Sequence, residues 1–136
     1  MQQLSLNIED YKFVITGIFL FLHGFIYFNL ARGLFGSFDS SIGPSLTLKS
    51  ILNSSTIELI IRLLWLLAGL GFILIGAFFV FSQNYSVYIN IILVICSIIG
   101  ISSFAIFWDG SLQNLLTAGI IGVIIDAIIL ILILIL

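Results

Sequence analysis

The chain has 136 residues, of which 62% are hydrophobic and 7% charged, against about 45–50% and about 25% in an ordinary soluble domain. A domain of about 150 residues buries only about 68–70% of its unfolded surface, so a water-soluble fold of this mean hydropathy, +1.37, is excluded. With four Lys and Arg and a net charge of −2, the chain has no basic footprint for phosphate, which excludes nucleic acid as a partner. The remaining class is an integral membrane protein.

A membrane helix needs about 20 mostly apolar residues. Four runs meet that length, at about 13–31, 57–81, 85–107 and 115–136. The first run is too long for the apolar core of a cleaved signal, carries His23 in its middle, and is followed by no clear Ala-x-Ala site. Asn7-Ile8-Glu9-Asp10 reads as a helix start, and Ser55-Thr56-Ile57-Glu58 has the form of a capping box. Ser82-Gln83-Asn84 and Asp109-Gly110-Ser111 are short polar turns, so the helices they join should be antiparallel neighbours. The expected fold is all-α: a single membrane domain of four up-down antiparallel transmembrane helices.

The link between the first two spans is longer, from Gly33 to Ser54. Pro44 can start a helix there, and Leu46, Leu48, Ile51 and Leu52 would give it an apolar face. The segment reads either as a short interfacial helix or as a lid or docking surface. Positive residues favour the cytoplasmic side. Lys12 and the terminal amine lie before the first span, whereas Arg32, Lys49 and Arg62 lie in or beside the long link. The expected placement is a multi-pass cell-membrane protein with both termini outside.

Each span carries one stripe of small and polar residues. At 100° per residue, Glu58, Arg62, Trp65, Gly69 and Gly76 share one side of the second span. Ser86, Asn90 and Ser97 share a side of the third, and Gly119, Gly122 and Asp126 a side of the fourth. Thr16, His23 and Tyr27 lie together on the first, with Gly24 beside them. Lipid-facing surface is apolar, so these stripes should face inward, with Gly24, Gly69, Gly76, Gly119 and Gly122 permitting close helix packing.

His23, Ser97 and Asp126 fall near the middle of their spans. An aspartate there costs about 2.5–3.5 kcal/mol, and sixteen Ile, Leu and Val in the fourth span return about 5–10 kcal/mol. The span inserts, but Asp126 requires a partner, and His23 is the natural one. A midplane site of His23, Tyr27, Ser97 and Asp126 reads either as a proton- or ligand-handling group or as an interhelical hydrogen bond that fixes packing. A second polar cluster, Asn29, Arg32, Glu58, Arg62, Asp109 and Asn114, with Trp108 and Gln113, lies toward the long link. It reads as interfacial anchoring or as a small headgroup or anion site.

One histidine and one cysteine preclude an intramolecular disulfide, a Cys-based metal cluster and a bis-His or three-His metal site within one chain, and no metal is expected. No cofactor is expected; quinone or haem would enter only through a partner or an oligomer. Cys96 reads as a packing residue.

His23-Gly24-Phe25-Ile26-Tyr27, Trp65-Leu66-Leu67-Ala68-Gly69 and Phe107-Trp108-Asp109 with Asn114 resemble a group of small four-helix membrane proteins of unknown function. More distantly they resemble DoxX-like proteins, four-helix membrane proteins with a His-Gly motif late in the first span, some associated with quinone-linked sulfur oxidation. Members of the first group often read His-Gly-x-x-His, where this chain has Tyr27. The resemblance implies the architecture.

No catalytic motif and no soluble domain are present, so the leading expectation is a non-enzymatic accessory or scaffolding subunit, or a self-associating protein. Its partners would be lipid and a larger membrane complex or further copies of itself. Ala118-x-x-x-Gly122 matches a small-xxx-small association stripe. The competing expectation is a protein that binds or transports a proton, a quinone or a small solute at His23 and Asp126.

Overall fold

The structure, a computed structural model, describes residues 8–32, 48, 51–82, 86–108 and 119–135. Among them are four helices and no strand: α1 (Ile8–Arg32), α2 (Ser54–Ser82), α3 (Val87–Phe107) and α4 (Ile120–Ile135). Three are long and apolar enough to cross a membrane, over Tyr11–Ala31, Ser55–Ser82 and Val87–Ile106. The fourth has 16 residues, about 24 Å at 1.5 Å per residue. The turn residue before it, Gly119, has φ +95°, a backbone that a helix cannot continue through. The described helix of the fourth run begins at Ile120, and Leu115 to Ala118 lie outside the described residues.

Side-chain size sets the inner face. In α2, Ile57, Ile61, Trp65, Ala68, Phe72, Ile75 and Phe79 recur every three or four residues and are buried. Leu59, Leu63, Leu67, Leu70, Leu74, Phe78 and Phe81 recur at the same spacing and are exposed. An outer surface so apolar is the arrangement expected where the solvent is hydrocarbon.

Glycines then set the helix pairing. Gly17 lies against the Gly76 carbonyl and Gly24 against the Gly69 carbonyl, and each contact is reciprocated. The sevenfold spacing on both helices fixes α1 antiparallel to α2 in one register, with the backbones touching. Gly17 is thus a packing residue beyond those expected. Thr16 departs from expectation: it is exposed, and Gly17, Leu20, Gly24, Tyr27 and Ala31 form the buried row of α1. α2 packs on α3 and α3 on α4, while α4 meets α1 over a much smaller area.

The helix ends use other residues than the capping-box reading of Ser55 and Glu58 implies. Asn53 caps α2, its Oδ1 accepting from the Thr56 N–H at 2.8 Å. Ser86 precedes α3 and accepts from the Tyr88 N–H at 3.4 Å, so it serves as a cap rather than as part of an inner stripe. In the long link, the Leu48 carbonyl accepts from Ile51 and Leu52 N–H, both at 2.9 Å. Leu48 and Leu52 pack on the core while Ile51 is exposed. Asn7, Pro44, Leu46, Lys49, Gln83, Asn84 and Ala118 lie outside the described residues.

Candidate functional site

The fold brings His23, Tyr27 and Asp126 together. His23 and Tyr27 stand one turn apart on α1, at i and i+4, and so project side by side. His23 Nε2 lies 2.8 Å from Asp126 Oδ1, and the Tyr27 hydroxyl donates to Asp126 Oδ2. Two side chains one turn apart on α1 therefore grip both oxygens of one carboxylate on α4. His23, Tyr27 and Asp126 are 2%, 3% and 0% exposed.

One hydrogen bond joins His23 Nε2 to Asp126 Oδ1, which suits a site with hydrocarbon around it. The other ring nitrogen, His23 Nδ1, donates or accepts according to the tautomer. That atom and Ser97 Oγ are buried and have no hydrogen-bond partner among the described residues.

Glycines and aromatic rings shape the surroundings. A Cβ on Gly100 of α3 would meet Asp126 Oδ2 and the Tyr27 hydroxyl, and one on Gly122 would lie 3.4 Å from the same hydroxyl. Gly122 precedes Asp126 by one turn and makes room for the phenol. Phe72 of α2 presents its ring to His23 edge-on at 4.8 Å between centroids and stacks beside Tyr27 at 6.2 Å. Phe19 stacks on the imidazole one turn earlier, at 6.4 Å.

Gly100 and Phe72 were missing from the expected site. Gly100 had a signal, since it follows Ser97 by three residues on the same helix face. Phe72 had none, being one of 13 phenylalanines. The adjacent His23 and Gly24 divide their work: the imidazole reaches α4 while the glycine lets α2 approach. Gly69 and Gly76 serve α1–α2 packing, whereas Gly119 takes part through its backbone conformation, with Leu30 Cδ1 at 3.9 Å among the described residues.

Of the second expected cluster, the side chains of Asn29, Glu58, Arg62 and Trp108 are among the described residues. Arg62 Nη2 pairs with Glu58 Oε1 at 2.5 Å, along one helix and half-exposed. Asn29 turns its amide onto the Phe25 carbonyl of its own helix at 2.9 Å. Trp108 stacks on Phe104. The side chain of Arg32, and Asp109, Gln113 and Asn114, lie outside the described residues. No group of three or more His, Cys, Asp or Glu that could hold a metal ion occurs among the described residues.

No family model matches the chain, and comparison with curated proteins and with solved structures finds no similar protein.

Proposed function

We propose that this chain is a non-enzymatic accessory or scaffolding subunit, a four-span bundle that joins a larger complex through its lateral, lipid-facing surface. The observation that supports this reading is the closure of the midplane polar group. His23 and Tyr27 occupy both oxygens of Asp126, and Gly100 leaves no space for even a methyl group beside them. A site so filled acts first as a clamp between α1 and α4. Self-association through Ala118-x-x-x-Gly122 has less support, because Gly122 faces Tyr27 inside the bundle. In this reading the termini lie outside the cell and the link carrying Arg32 and Lys49 lies inside.

Native mass spectrometry of tagged protein, extracted gently from its own membrane, tests the proposal. The expected result is a heavier protein partner at fixed stoichiometry. A homo-oligomer would replace the accessory reading with self-association. A monomer carrying one stoichiometric quinone or other small molecule would replace it with the binding reading. Asp126→Asn separates the readings further. Its amide oxygen still accepts from Tyr27 and its NH2 group donates to His23, so the clamp and the complex should persist, whereas a protein that moves protons through Asp126 would lose activity.

A further inference from the structure

Ser97 and Ser103 lie on α3 and are both fully buried. Ser103 donates to the carbonyl of Ile99 one turn back, at 2.6 Å, the usual recourse of a serine in an apolar helix. Ser97 has no such partner among the described residues, and neither does His23 Nδ1.

The register of the bundle places these two residues at one level. α1 and α3 run in the same direction, since each is antiparallel to α2. Tyr27 and Gly100 mark a contact between them: a Cβ on Gly100 would meet the phenol. One turn toward the N-terminus from that contact stand His23 on α1 and Ser97 on α3. A second path through α2 gives the same level. Phe72 touches the His23 ring, and the neighbouring Gly71 faces Cys96 Sγ, next to Ser97.

We propose that one water molecule sits between His23 Nδ1 and Ser97 Oγ. It completes a hydrogen-bonded chain from Asp126 on α4, through His23 on α1, to Ser97 on α3. The chemistry of the two ends selects this guest. Nδ1 donates or accepts according to the tautomer, and the serine hydroxyl does both. Water can donate to or accept from either end in the volume of a single oxygen. Apolar cavities remain dry, but buried polar groups without protein partners are where internal water is held. The site ties α3 to the clamp that joins α1 and α4, and it does not depend on whether the protein is an accessory subunit.

The chain has one histidine, so 15N-histidine labelling observes His23 alone. The full chain in phosphatidylcholine bilayers would be studied by magic-angle-spinning NMR, following magnetisation transfer from water protons. The ring nitrogens are expected to receive it several-fold faster than the backbone nitrogen of the same residue. Ser97→Val should remove that difference and Ser97→Thr should retain it, with the Nε2 shift reporting that the Asp126 bond is intact. Ring transfer no faster than the backbone in the unmodified chain would overturn the proposal. So would an Nδ1 shift typical of a hydrogen bond without water transfer, which would mean direct contact with Ser97. Rapid transfer that survives Ser97→Val with the Nε2 shift intact would place the water elsewhere and also overturn it.

Discussion

His23 has two ring nitrogens with unlike surroundings, and the clamp depends on the one that faces Asp126. Replacing Asp126 with leucine would leave the Nε2 and Tyr27 hydroxyl groups without a partner, at about 1–3 kcal/mol for each buried group. Interhelical hydrogen bonds in membranes average only about 0.6 kcal/mol, so Asp126→Asn, which keeps both bonds, should stay within about 1 kcal/mol of the unmodified chain. Unfolding of both variants in mixed micelles measures the difference; equal losses would show that the carboxylate clamp contributes little. Gly100→Ala should also be destabilising although it adds only a methyl group. Its Cβ meets Asp126 Oδ2 and the Tyr27 hydroxyl, and overpacking of this kind costs about 1–3 kcal/mol. The same titration checks it, with loss of the His23 Nε2 shift as the local sign. His23, Tyr27 and Asp126 were legible in the sequence because an ionisable side chain in hydrocarbon is rare and needs a partner. Gly100 was not, since a glycine shows no more than the absence of a side chain until the group opposite it is known. Thr16 misled for the opposite reason: a threonine hydroxyl can bond to its own helix backbone, so its polarity does not force it inward.

Between elements, the closest approach is that of α1 and α2, where Gly17 and Gly24 face Gly76 and Gly69 carbonyl to backbone. Hydrophobic burial adds little to helix association in lipid, so backbone proximity and dispersion carry the pairing. Gly24→Val places a branched side chain against the Gly69 carbonyl and the Phe72 Cβ, neither of which can swing aside. The helices must separate or shift along each other, and His23, one residue away, would lose its alignment with Asp126. The expected outcome is loss of a cysteine-pair crosslink engineered at Phe13 and Phe79, whose rings lie 5.7 Å apart across the two helices, with a smaller effect from Gly119→Ala, where the nearest described atom is 3.9 Å away and the cost comes from the positive φ. Retained crosslinking in Gly24→Val would show that the glycines do not set the pairing. The helices themselves were legible from hydropathy, because a run of about 20 apolar residues has few alternatives. Their ends were less so. Ser55 and Glu58 matched a capping pattern, yet Asn53 makes the bond, since several polar residues stand in a row there and sequence spacing does not fix which one turns back.

At the scale of the molecule, the inner face is spent on the protein itself and the outer face is a continuous apolar surface. Rows such as Leu63, Leu67 and Leu74 of α2, Ile91, Ile95 and Ile98 of α3, and Ile121, Ile124 and Ile128 of α4 are exposed. Composition alone cannot distinguish a row that meets lipid from one that meets another protein's membrane helix, because both surroundings are apolar. Bulk can. Lipid chains yield to a larger side chain, whereas a packed helix interface does not. Tryptophan substituted singly at Leu67, Ile95 and Ile128 should leave the fold unchanged within about 0.5 kcal/mol, as surface substitutions do. If the chain is an accessory subunit, at least one of these rows should lose its partner in native mass spectrometry while the isolated bundle remains folded. That row would mark the interface, and its helix would give the direction from which the larger complex approaches. Equal tolerance at all three positions, with any co-extracted protein still attached, would exclude these faces of α2, α3 and α4 and direct the search to the outer face of α1, where Ile15, Leu22 and Ile26 are exposed.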